Sequence, residues 1–105
     1  MRVRIGPYRK NRAKHVEIEP HDTWNMDRTL ALIIHPMLVQ LKETTHGYPV
    51  DLTEQEWDDI LDEMIWAFEQ KNRDDWEDDK GIKAHQERMT NGFKLFGKYF
   101  ESLWD

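Results

Sequence analysis

Thr53-Glu-Gln-Glu-Trp-Asp-Asp-Ile-Leu-Asp-Glu-Met-Ile-Trp-Ala-Phe-Glu-Gln70 is the stretch on which the fold turns. Its first four residues form a capping box. The Thr53 hydroxyl is placed to accept from the Glu56 amide, and the Glu56 carboxylate reaches back. Behind the box, Trp57, Ile60, Leu61, Met64, Ile65 and Phe68 recur at three- and four-residue steps. That spacing predicts one apolar face of a helix ending near Asn72. Asp58, Asp59, Asp62, Glu63 and Glu69 surround the face, and acids in the first turn suit the positive end of the helix dipole. A helix divided in this way needs apolar neighbours.

The chain on either side supplies them. Upstream, Pro20 breaks an extended stretch, and Asp22 or Thr23 suits an N-cap. A helix is expected from there to about Lys42, with Leu30, Ile33, Ile34, Met37, Leu38 and Leu41 as its apolar positions. Pro36 removes one backbone donor and predicts a kink near residues 32–35. His46-Gly47-Tyr48-Pro49 closes the helix. Downstream, residues 71–80 are nearly all charged and read as a loop or a solvated helix extension, with Trp76 as a lid over the core or an interface anchor. A third helix is expected from about Gly81 to Leu103, carrying Ile82, His85, Met89, Phe93, Phe96, Tyr99, Phe100 and Leu103. Gly92 and Gly97 lie on it at about 1 kcal/mol each against alanine, so they are expected to permit close packing or a bend.

At the N-terminus, residues 2–5 and 15–19 alternate polar and apolar, with Val3, Ile5, Val16 and Ile18 on the side expected to be buried. Two strands alone are marginal in water, so they must lie on the helices or pair with another chain. The expected fold is α+β and mainly α: an N-terminal β-hairpin packed on a three-helix core. The 105 residues make one domain, a basic arm over 1–20 and a helical body over 21–105.

Composition narrows the function classes. Apolar residues are 38%, charged residues 34%, and the mean hydropathy is -0.91. Eleven per cent aromatic residues argue against plain disorder. No apolar run approaches a membrane span, and no secretory leader is visible, so a small soluble cytosolic domain is expected. There is no cysteine, which excludes disulfides, thiolate catalysis and cysteine-ligated zinc. The net charge of -6 hides a split. Residues 1–15 carry six basic side chains and no acid, and the rest sets the other 9 bases against all 21 acids, a balance of -12. Such a chain is a poor general DNA binder, because most of its surface repels phosphate.

Three candidate sites follow. The basic arm offers Arg2, Arg4, Arg9 and Lys10 for phosphate, with Tyr8 or Trp24 to stack on a base. This would suit a nucleotide signalling ligand. The acidic surface offers Asp58, Asp59, Asp62, Asp74, Asp75, Asp78 and Asp79 around Trp76 for a basic protein partner, including as a mimic of the DNA backbone. The enzyme rival is a magnesium-dependent nucleotide hydrolase holding the metal on Asp58, Asp59, Asp62 and Glu63. All-helical nucleoside triphosphate pyrophosphatases draw such acids from two helices, and no equivalent pair stands on the first or third helix here. His15, His21, His35, His46 and His85 form no zincin pair, and Ser102, the sole serine, has no nucleophile elbow. His85 reads as a packed histidine that Glu63 or Glu69 could orient. No catalytic residue, metal or cofactor is assigned. Five tryptophans exceed what one three-helix core would ordinarily bury, which points to a subunit or partner interface and to a homo-oligomer.

Three blocks carry a resemblance: Asp22-Thr-Trp-Asn-Met-Asp27 running into Thr29-Leu-Ala-Leu-Ile-Ile-His-Pro-Met-Leu-Val-Gln-Leu-Lys42; Leu61-Asp-Glu-Met-Ile-Trp-Ala-Phe-Glu-Gln70; and Arg88-Met-Thr-Asn-Gly-Phe-Lys-Leu-Phe-Gly-Lys-Tyr-Phe-Glu-Ser-Leu-Trp-Asp105. Together they resemble a family of small tailed-bacteriophage proteins without an established activity. Arg28 stands where members often carry a histidine. The resemblance implies the infected bacterial cytoplasm as compartment and a non-enzymatic accessory protein. Its expected action is to antagonise a bacterial defence system, by blocking a host protein or by sequestering a nucleotide signal. A virion or assembly component is the structural alternative.

Overall fold

A computed structural model describes residues 1–4, 15–45, 47–73 and 81–104. Two short strands, β1 (Arg2–Arg4) and β2 (His15–Glu17), pair antiparallel with Val3 opposite Val16. A 3-10 turn over Pro20–Thr23 leads into α1 (Met26–Thr44). Then come α2 (Glu54–Lys71), α3 (Ile82–Lys98) and a closing 3-10 turn over Phe100–Ser102. The class is the expected one, α+β and mainly helical.

The capping box forms as its residues dictate. Thr53 Oγ1 accepts from the Glu56 amide at 3.1 Å, and Glu56 Oε1 accepts from the Thr53 amide at 3.0 Å. This box starts the central helix. α1 and α3 run antiparallel to α2 on its two sides and make no close backbone approach to each other. Ala31 and Leu38 of α1 meet Trp57, Leu61, Met64 and Phe68 of α2 in the buried core, with Phe93, Phe96 and Tyr99 packed on it from the other side. Edge-to-face rings join α2 to the C-terminal third of the chain: Trp57 on Tyr99 at 5.6 Å, and Phe68 on Phe93 and Phe96 at 5.1 and 5.0 Å.

Gly92 is the close-packing glycine. An added Cβ there would meet the Ala67 Cβ at 2.4 Å and the Glu63 carbonyl oxygen at 2.9 Å. Gly97 has open space around it. It sits in the last turn of a helix that stops at Lys98, short of the expected Leu103. Phe100 therefore leaves the helical register and is exposed.

The N-terminal boundary also shifts. Asp22 does not cap α1. Its carboxylate accepts from the Glu19 amide at 2.8 Å and closes the 3-10 turn, while Asn25 stands at the N-cap. α1 runs as one element through Pro36, which has no N–H to donate within the helix. The hairpin is tied to the body by the Met1 amino group, 3.2 Å from Asp22 Oδ2. Val3, Val16 and Ile18 remain 41, 53 and 58% exposed, so the side expected to be buried is open in the single chain.

Candidate functional site

The helical layer has two unlike faces, and α2 decides both. Asp59, Asp62, Trp66 and Glu69 follow at helical spacing and form one stripe. Asp62 and Glu63 are neighbours in sequence but 100° apart on the helix. They are taken by different partners. The Asp62 carboxylate pairs with Lys42 of α1. Glu63 accepts a two-pronged bond from Arg88 of α3, Nε to Oε1 at 2.8 Å and Nη2 to Oε2 at 2.9 Å. The Arg88 hydrogen bonds hold the Glu63 carboxyl below its usual range. The Asp62 carboxylate likewise holds the Lys42 ammonium above its usual range, with Asp58 and Asp59 adding to the attraction.

Asp59 accepts from the Gln55 amide at 3.0 Å and stays exposed, and Asp58 is partly exposed. The four carboxylates of the magnesium reading are thus divided between the two sides of α2. Among the described residues, no group of three or more histidine, aspartate or glutamate side chains is arranged to hold a metal. Asp74, Asp75, Trp76, Asp78 and Asp79 lie outside the described residues.

Beside the acid stripe is a network that spacing alone did not reveal. The Arg88 guanidinium lies 3.9 Å over the Trp66 ring, and Trp66 meets His85 edge-on at 5.2 Å. A His85 ring nitrogen, Nε2, is 3.0 Å from Oε1 of the buried Gln70. His85 is thus the packed, hydrogen-bonded histidine expected, with Gln70 in the place given to Glu63 or Glu69. The sequence signal was present: 63, 66 and 70 share one stripe of α2, and 85 and 88 share one of α3. The network joins the two helices.

The opposite face is apolar. Ile34, Met37 and Leu41 of α1 and Phe96, Phe100 and Leu103 bound a groove of about 810 Å³. A second, smaller cleft of about 420 Å³ is bounded by Tyr48, Val50, Ser102 and Trp104. Of the nucleotide candidates, Arg2 is exposed opposite Glu17 in the strand pair, and Trp24 is 76% exposed with its ring 5.0 Å from His21. Tyr8, Arg9 and Lys10 lie outside the described residues, as does the Arg4 side chain. No described helix is long and apolar enough to cross a membrane. Comparison with protein-family models, curated proteins and solved structures gives no match.

Proposed function

We propose that this chain acts by binding rather than by turnover, as a phage accessory protein that antagonises a bacterial defence by blocking a host protein. The observation that carries this reading is the display of Asp58 and Asp59 at the start of a firmly held helix. α2 is gripped on one side by Lys42–Asp62 and Lys71–Asp27, and on the other by Arg88–Glu63. Carboxylates on such a helix present a fixed line of negative charge to a basic surface, with little ordering entropy left to lose on binding. The resemblance to small phage proteins supports the setting. The division of Asp62 and Glu63 between opposite partners favours display over metal chelation.

The test uses defended bacteria expressing the chain. Asp58→Asn with Asp59→Asn should abolish rescue of phage plating, at an unchanged melting temperature. Asp62 is left intact, since its loss would strand Lys42. Arg2→Glu and Trp24→Ala should leave rescue in place. Loss of rescue in the arm variants alone, with a nucleotide retained in native mass spectrometry, would establish capture instead. No rescue by the wild-type chain in any defended host would overturn the reading.

A further inference from the structure

α1 is apolar over more of its circumference than its one helical neighbour covers. Ala31 and Leu38 face α2 and are buried. Leu30 and Met37 each stand one residue earlier, 100° round the helix. With Met26 and Ile33 they form a second stripe at four-, three- and four-residue steps. Met26, Leu30 and Met37 are exposed, and the stripe borders the groove whose far wall is Phe100 and Leu103. From Thr29 to Leu41 the helix carries no Asp, Glu, Lys or Arg.

We infer that this stripe is the contact between two copies of the chain, with the α1 helices packed antiparallel about a two-fold axis near Ile33. Three observations select a second copy. The first is charge. The chain after residue 15 carries a balance of -12, and the stripe is a face on which two copies meet without bringing acid to acid.

The second is area. The exposed fractions of Phe100 and Trp104, 61% and 74%, leave roughly 200–300 Å² of ring surface bare at about 150–250 Å² per ring. Half-exposed Met26, Leu30 and Met37 add roughly 100–200 Å² at about 25 cal/mol/Å² and 1.5–3 kcal/mol per side chain. The sum is roughly 300–500 Å², which at about 65% apolar corresponds to an interface of roughly 450–750 Å² per partner, around the lower end of the standard size. The third is symmetry. Antiparallel copies about an axis near Ile33 bring Leu30 near Met37 of the other copy and Ile33 near its own counterpart, so one stripe serves both sides.

The inference is separate from host blocking, which concerns the acidic face of α2. The test is the solution mass of the full chain, by light scattering or sedimentation at micromolar concentration. The expected mass is twice 12.8 kDa. Met37→Glu should return it to the monomer, with the dimer dissociation constant raised at least tenfold and the helical circular dichroism retained. Leu32→Glu is the control. Leu32 is as exposed as Met37, both at 63%, but it lies on the other side of α1, and this change should leave the dimer intact. The chain has no cysteine, so a single Ile33→Cys should give a disulfide-linked dimer on mild oxidation, and Leu32→Cys should not. A wild-type monomer, or a dimer that survives Met37→Glu, would overturn the inference. So would a dimer that Leu32→Glu breaks equally.

Discussion

Replacing Gly92 by alanine tests the packing of α2 on α3 at its closest point. The new methyl would stand 2.4 Å from the Ala67 Cβ and 2.9 Å from the Glu63 carbonyl oxygen. Non-bonded carbons rest about 3.5–4.0 Å apart, so α3 must withdraw by about 1 Å. Neither obstacle is the free end of a flexible side chain. Withdrawal also pulls on Phe93 against Phe68 and on Arg88 against Glu63, which flank the contact. Overpacking of this kind costs about 1–3 kcal/mol. The better helix propensity of alanine returns about 1 kcal/mol. A 2.4 Å contact with no yielding atom lies in the upper part of the overpacking range, about 2–3 kcal/mol, so the balance is a loss of about 1–2 kcal/mol, or roughly 4–16 °C in Tm at about 4–8 °C per kcal/mol.

Gly97→Ala is the matched control. No atom outside the local helix lies within 4 Å of its added Cβ, so only the propensity gain remains, up to about 1 kcal/mol. Thermal unfolding followed by far-UV circular dichroism should therefore move in opposite directions for the two variants. Adding Ala67→Gly to Gly92→Ala should recover part of the loss, beyond the sum of the single changes. A Gly92→Ala protein as stable as the parent would refute the close approach and the antiparallel register built on it.

Leu61 has no exposed surface, so Leu61→Ala should lose about 2–5 kcal/mol in urea unfolding. Thr53→Ala removes the hydroxyl that accepts from the Glu56 amide and should lose about 1 kcal/mol. The Glu63 carboxyl titrates below its usual range because of Arg88. The stability from that pair is therefore complete above about pH 4.3 and is lost as the pH falls through the lowered folded value. The pair is partly solvated, so the amount is under about 1 kcal/mol. Arg88→Met should remove this part of the acid dependence of Tm, and an unchanged profile would count against the pair.

Legibility in the sequence followed the range of the interactions. The capping box and apolar face of α2 are local, and both appear where the spacing puts them. The end of α3 departs from its spacing because Phe93, Phe96, Tyr99, Phe100 and Leu103 keep a helical rhythm past Lys98, where the helix stops. Hydrophobic spacing does not register a change from α-helical to 3-10 winding over three residues. Asp22 was misassigned for a related reason. A short acid after Pro20 suits both an N-cap and the third position of a turn, and the Glu19 amide settled which. The carboxylates were the least legible. Their partners stand 20 and 25 residues away, Lys42 for Asp62 and Arg88 for Glu63. One step along α2 sends adjacent acids to opposite neighbours, and no spacing rule states which neighbour lies on which side.

The tryptophans were read collectively, and the structure separates them. Trp57 is buried against Tyr99 and belongs to the core. Trp66 is held between Arg88 and His85 and fastens α3 to α2. Trp24 and Trp104 are about three-quarters exposed. An aromatic surplus therefore does not mark a single interface here. Of the two exposed rings, Trp104 lines the cleft with Tyr48 and Val50, while Trp24 lies between the 3-10 turn and α1; Trp76 is outside the described residues. The apolar side of α1 exposes Met26, Leu30 and Met37 as well. Water leaves such a surface when another helix covers it, and a layer of three helices leaves that position open.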